Sequence, residues 1–218
     1  MTSVNRLSRP LARRTVLAAS MLVLVTADLL LTAPAKADPV VGRPAPDFSV
    51  TDTNGTPRSL AGLKGKIVVL EWTNADCPFT QKHYNSANMQ SLQREATGAG
   101  VVWLTVNSSA PGHDGYVDAG KANDLTVSRK AAPSGVILDP TGRIGQAYHA
   151  KTTPHMYIIA ADGTLVYMGG IDSIASTNQA DVPKATPYFR NALQAVLKGQ
   201  PVPLAETRAY GCSVKYAS

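Results

Sequence analysis

The chain has 218 residues, 44% of them hydrophobic, 17% charged and 6% aromatic. That is enough for one domain with a full core, and segments such as VVWLTV and HMYIIA are too apolar for a disordered chain. The net charge of +6 suggests an anionic partner, but residues 1–37 hold five cations (Arg6, Arg9, Arg13, Arg14, Lys36) and one anion (Asp28), leaving sixteen cations against fourteen anions in the rest. So nearly neutral a domain has no electrostatic footprint for DNA or RNA, which excludes nucleic acid as a partner.

Residues 1–37 read as an export signal. A polar, arginine-bearing start precedes an apolar run from Thr15 to Thr32, and Ala35-Lys36-Ala37 forms a small-x-small site for cleavage before Asp38. Asp28 inside the apolar run argues against a retained membrane anchor, so no stable membrane association is expected after cleavage. Arg13-Arg14 followed by Thr15-Val16-Leu17 resembles a twin-arginine signal, and a general secretory signal fits equally well. Either route delivers residues 38–218 to the periplasm or the exterior, an oxidising compartment.

In the mature part, Phe48 to Asp52 reads as a strand entering a turn at Asn54-Gly55. Lys66 to Trp72 (KIVVLEW) is a near-continuous apolar run, as expected of a strand covered on both faces. After Cys77-Pro78, the segment from Phe79 to about Ala96 lacks Gly and Pro and reads as one helix, with Pro78 suited to its first turn. Val101 to Val106 is a second buried strand. A polar loop from Asn107 to Tyr116 follows, in which Ser108, Ser109 and Gly112 read as a rim to a site or, more simply, as a solvated connection, then a weak helix from Val117 to Leu125.

Gly135 to Asp139 reads as a strand ending in the Asp139–Gly142 turn. His155 to Ala160 and Thr164 to Met168 flank Ala161-Asp162-Gly163 as a β-hairpin. The last helix is predicted to have Thr186 as N-cap, Pro187 as its first residue and Gly199 past its end, with Phe189, Ala192, Leu193, Val196 and Leu197 on one apolar face. Strand–helix–strand order implies parallel pairing by right-handed crossover, and the hairpin adds antiparallel strands. The expected fold is α/β, a three-layer α/β/α sandwich around a mixed sheet. It spans residues 38–202, with residues 203–218 as a tail carrying Cys212 and anchored by Val214 and Tyr216.

Cys77 and Cys212 are the only cysteines. Two are too few for a disulfide scaffold or a thiolate zinc site, leaving one disulfide or a reactive thiol. Cys77 sits at a strand-to-helix junction, where unpaired N–H groups and the helix dipole favour thiolate. Thr80, one turn on, is placed to donate its hydroxyl to the sulfur. Asn74 and Asp76 make the surroundings polar. His83, His113, His149 and His155 are too scattered to form a ligand set, so neither a metal nor another cofactor is expected; His155 is a candidate to influence Cys77. Trp72 and Trp103 are expected in the core.

These residues carry a resemblance. VGRPAPDF (41–48), DCPFTQKHY (76–84), VVWLTVNSSAPG (101–112), KTTPHMYII (151–159) and YGCSVKY (210–216) resemble the thioredoxin-fold superfamily. More narrowly, they resemble its peroxiredoxin-like, single-cysteine branch of alkyl hydroperoxide reductase and thiol-specific antioxidant proteins, the redoxins. The resemblance implies that Cys77 is the attacking cysteine and Pro154 a cis-proline facing it, with Thr153 offering backbone groups to a bound thiol partner. It implies an antioxidant peroxidase or a thiol–disulfide oxidoreductase whose partners are a peroxide, or a protein or small-molecule thiol or disulfide.

The chain departs from the pattern in two places. Thr80 stands where thioredoxins carry their second cysteine, so exchange needs another thiol, and Cys212 is the candidate resolving thiol. Leu70 and Asn74 stand where peroxiredoxins carry proline and a hydroxyl residue. The alternative from another class is a non-catalytic module holding a partner in the cis-proline groove.

Overall fold

The computed structural model describes residues 1–2 and 38–217, so the expected leader lies almost wholly outside the described residues. In chain order the elements are strands β1 (Ser49–Thr51), β2 (Pro57–Ser59) and β3 (Val68–Trp72), helices α1 (Pro78–Asn85) and α2 (Asn88–Gly98), and strand β4 (Val102–Asn107). Then come α3 (Ala119–Ser128), β5 (Gly135–Leu138), α4 (Arg143–Ala147), β6 (Thr152–Thr153), β7 (His155–Ile159), β8 (Leu165–Gly169), α5 (Tyr188–Leu197) and β9 (Cys212–Ser213). Short 3-10 turns occupy Ala61–Leu63 and Gln179–Lys184.

Five strands form the central sheet in the order β5-β4-β3-β7-β8. β3 pairs parallel with β4, and β4 parallel with β5, while β7 runs antiparallel to both β3 and β8. The apolar run of β3 is the central strand, buried at every position. Its alternate side chains feed two cores: Val68, Leu70 and Trp72 go to one face and Val69 to the other. α1, α2 and α5 cover the Val69 face through Tyr84, Met89, Leu92, Phe189 and Leu193. The opposite face is closed by Phe48 and Leu60 at the two ends of the β1–β2 hairpin and by Ile144 and Tyr148 around α4. This is the expected three-layer α/β sandwich, with Trp72 and Trp103 both fully buried.

Local expectations are corrected at several points. The helix expected from Phe79 to Ala96 is two helices, broken at Ser86 and Ala87. Ala87 has φ of 57°, and Gln90 Nε2 donates to the Tyr84 carbonyl that the break exposes (2.9 Å). α5 begins at Tyr188, because Pro187 has a ψ of 74° and is itself the cap; Thr186 makes no cap. The weak helix lies two to three residues further on than expected, capped by Asp118, whose carboxylate accepts from Lys121 N at 2.8 Å. Ser108 and Ser109 are buried rather than solvated: the Ser108 hydroxyl donates to Asp139 Oδ2 (2.7 Å) and accepts from Trp72 Nε1 (3.1 Å).

The segment after α5 lies along the protein. Met168 N donates to the Ala205 carbonyl (3.0 Å) and Thr207 N to the Met168 carbonyl (3.2 Å), which covers the outer edge of β8. The chain then crosses to β9, which pairs antiparallel with β6 in the register Thr152 to Ser213 and Thr153 to Cys212. Val214 N donates to the Lys151 carbonyl (3.1 Å) and Ala110 N to the Lys215 carbonyl (2.7 Å). Tyr216 donates its hydroxyl to the Ala150 carbonyl (2.7 Å) and lies over Gly142 and Gly145, where a Cβ would collide with its ring. Among the described residues no helix is long and apolar enough to cross a membrane.

Candidate active site

Cys77 is the N-cap of α1 and Pro78 its first residue, so the β3–α1 loop delivers the sulfur to a helix N-terminus. Asn74 shapes that loop: its Oδ1 accepts from Asp76 N (2.8 Å) and its Nδ2 donates to the Asp114 carbonyl (3.1 Å). The Arg129 guanidinium and Gln81 Nε2 both donate to the Ala75 carbonyl at 3.0 Å. Asp76 is exposed, its charge in solvent. Cys77 itself is only 2% exposed, and its thiol donates to the Thr153 carbonyl at 3.1 Å.

Thr153 precedes Pro154, and the bond between them is cis. Opposite Thr153 in the β6–β9 pair stands Cys212, half-buried beside Cys77, and both cysteines are free thiols. Three separate stretches of the chain, at Thr80, at Thr153–Pro154 and at Cys212, thus gather around the Cys77 sulfur.

The two thiols are driven apart in acidity. Burial opposes ionisation of Cys77, but the Cys212 thiol, Thr153 and the backbone N–H groups of Thr80 and Cys212 outweigh it and hold Cys77 below its ordinary value. The thiol donates to the Thr153 carbonyl, and its sulfur makes no cap hydrogen bond to the first turn of α1. Burial and the neighbouring Cys77 sulfur push Cys212 up to about 11. Cys77 is therefore the more acidic thiol of the pair, and Cys212 keeps its proton at neutral pH.

Thr80 corrects one expectation. Its hydroxyl is buried and has no hydrogen-bond partner among the described residues, so the residue acts on Cys77 through its backbone N–H alone. Thr80→Val should therefore leave the Cys77 thiolate titration, followed at 240 nm in Cys212→Ser protein, where it was. It should also stabilise the fold by about 1 kcal/mol, because an unpaired buried hydroxyl is removed.

A second polar cluster lies directly behind the site and escaped the sequence reading. Lys82, on α1, has a fully buried side chain, and its ammonium meets Asp172 Oδ2 (3.4 Å), the Ile174 carbonyl (2.9 Å) and the Tyr210 hydroxyl (3.3 Å). Tyr210 donates its hydroxyl to Asp172 Oδ1, and its ring packs edge-on against Phe79. Burial and the Asp172 carboxylate raise the Tyr210 phenol. His83 Nε2 lies 3.2 Å from the same hydroxyl. This cluster ties α1, whose N-cap is Cys77, to the residue two places before Cys212.

His155 is buried over Tyr157, and its Nδ1 takes part in bonds to Tyr157 (3.0 Å) and Lys151 N (3.4 Å); it makes no bond to Cys77. Burial lowers both His83 and His155 to about 4. An unfolded histidine binds its proton near 6.5, so acid favours the unfolded chain between those values. Stability is expected to be full above pH 6.5 and to fall by about 2 kcal/mol per histidine by pH 5. Glu71 works in the opposite sense: burial raises its carboxyl, despite bonds from Tyr84, Trp103, Gln93 and Thr105, so acid relieves it. Urea unfolding at pH 7 and 5 measures the sum, and a His83→Gln/His155→Gln variant should show a flatter profile.

Among the described residues, no group of three or more His, Cys, Asp or Glu side chains converges as a metal site. A sheet with a cysteine at the N-terminus of the helix after its central strand, facing a cis-proline, defines a thioredoxin-fold thiol redox protein. Residues 41–168, more than half of the chain, match the AhpC/TSA family, and the chain belongs to that family.

A solved protein from Geobacillus kaustophilus, described as an uncharacterized conserved protein, is similar over 82% of this chain and 93% of its own, with 26% identity and a TM-score of 0.72. A hypothetical protein from Sinorhizobium meliloti 1021 shares the fold at 21% identity and a TM-score of 0.69, over 84% of this chain and 97% of its own. A putative protein disulfide isomerase from Bacteroides thetaiotaomicron shares it at 20% identity and 0.53, over 73% and 91%. No curated protein matches the chain at a comparable level.

Proposed function

We propose that this protein is an exported thiol peroxidase that reduces a hydroperoxide at Cys77 and stores the oxidation as a Cys77–Cys212 disulfide. The observation that carries the reading is the pairing of a buried, acid-shifted thiol with a more exposed thiol of raised pKa on the adjacent strand. At 2% exposure, Cys77 favours a small oxidant over a folded protein's disulfide. The Cys77 thiolate attacks the terminal peroxide oxygen; the S–O bond forms, the O–O bond breaks, and the departing alkoxide or hydroxide takes a proton. Cys212 then attacks the sulfenic sulfur, forming S–S and releasing water. A thiol reductant attacks the more exposed Cys212 sulfur and expels Cys77, the better leaving group because its pKa is lower.

Export is supported by the apolar run and the Ala35-Lys36-Ala37 site, and a host protein beginning at Asp38 by mass spectrometry is its check. Against the non-catalytic module stands β9, which already lies along the edge such a partner would use.

Stopped-flow mixing of reduced protein with hydrogen peroxide, followed by non-reducing peptide mapping, tests the reading. Rapid consumption of one equivalent, a Cys77–Cys212 peptide in the monomer, and loss of both in Cys77→Ser are expected. Both thiols remaining free, with peroxide unspent, would overturn it.

A further inference from the structure

The two-residue strand β9 brings more than a second thiol. By pairing in register with Thr152–Thr153 it places residue 212 opposite Thr153, whose carbonyl is bonded to Cys77 Sγ at 3.1 Å. An extended chain laid on this edge thus presents the side chain opposite Thr153 to the reactive sulfur, and the protein's own tail is such a chain. It is also firmly seated. Tyr210 is held in the Lys82–Asp172 cluster on one side, and Val214, Lys215 and Tyr216 are bonded on the other. Gly211 between them approaches so closely that a Cβ would lie 2.0 Å from the Thr153 oxygen, with φ at +137°. The backbone edge that β-strand addition requires is therefore taken.

We propose that β9 is a built-in occupant of the edge along which an extended, cysteine-bearing polypeptide must lie to reach Cys77. The docked tail keeps protein disulfides off the thiol and leaves it to small oxidants. The proposal rests on the reading of Cys77 as the reactive thiol. With the tail released, the same edge accepts a foreign strand. The Cys77 thiolate then attacks the disulfide of that strand, forming a bond to the strand's sulfur and breaking the existing S–S bond, whose other sulfur departs as thiolate with the electron pair. An edge that is open in one molecule in ten or fewer slows this reaction by about tenfold or more.

The test uses Cys212→Ser protein as parent, compared with a chain ending after Ala209 and with full-length Gly211→Val/Cys212→Ser. The second keeps Tyr210 in its cluster should the truncation unfold, and circular dichroism reports the fold of each. Two probes release the same yellow thiolate: dithionitrobenzoate, and a short extended peptide whose one cysteine is disulfide-linked to that thiolate. The parent should react readily with the small reagent and slowly with the peptide. Both variants should speed the peptide reaction by at least about tenfold more than they change the small-reagent rate. No gain with the peptide, or equal gains with both probes, would overturn the proposal while leaving Cys77 as the reactive thiol. A parent inert to dithionitrobenzoate and to hydrogen peroxide alike would overturn the functional reading, and this proposal with it.

Discussion

Asp172→Ala should destabilise the folded protein by about 3–5 kcal/mol, because it leaves the Lys82 ammonium buried without its counter-charge. Asp172 also accepts from Tyr210 and from Ile174 N (3.0 Å), so three groups lose a partner at once. For a domain of this size that corresponds to a fall of about 6–20 °C in melting temperature by calorimetry. Lys82→Met, which removes the cation together with its need for a partner, should cost less than Asp172→Ala. If the two single variants melt alike, the cluster is not a buried ion pair in energetic terms. The double variant Lys82→Met/Asp172→Ala completes the cycle and isolates the coupling between the two side chains.

Cys212→Ala should leave the first oxidation of Cys77 in place and remove the internal route out of the sulfenic state. A thiol fixed beside its target acts at millimolar effective concentration or above. With an external thiol at tens of micromolar in its place, resolution should slow by about 10²-fold. Steady-state peroxide consumption with a thiol reductant measures this, and mass spectrometry should show Cys77 advancing to the irreversible sulfinic state. The same substitution removes a group that favours the Cys77 thiolate, so the rate of the first step should reach its plateau at higher pH than in wild type. Turnover equal to wild type would mean that Cys212 takes no part in the cycle.

How far the sequence foretold this architecture depended on whether each signal was local. KIVVLEW and VVWLTV announced buried parallel strands because a strand covered on both faces must be apolar at nearly every position. Even there Glu71 is a buried exception, sustained by four donors from α1, α2 and β4 that no pattern in β3 discloses. Cys77-Pro78 after a strand marked a helix start, and with it the thiolate argument.

The Ser86–Ala87 break went unseen because neither residue is a helix breaker; its support comes from Gln90 and from Asn88 against His83 Nδ1 (2.9 Å). α4, five residues with Gly145 inside, is too short to show a period. Lys82 in an unbroken helical stretch reads as a solvated charge, and its partners Asp172 and Tyr210 lie 90 and 128 residues away. Long-range polar pairing leaves no trace in spacing. Thr80 was named for the right position and the wrong atom, since spacing fixes the placement of an N–H far better than the rotamer of a hydroxyl.

The Tyr210–Tyr216 strap has a consequence for the order of assembly. Every group it touches, from Lys82 and Ala110 to Ala150 and Thr153, emerges earlier in synthesis. The sheet and its two cores can therefore form before the strap exists, but the two-thiol centre cannot. Contacts closing so large a span are costly in chain entropy and come late in folding. The two thiols stand side by side only when this strap has docked, so the completion of the centre is a separate, later event than the folding of the domain that holds it.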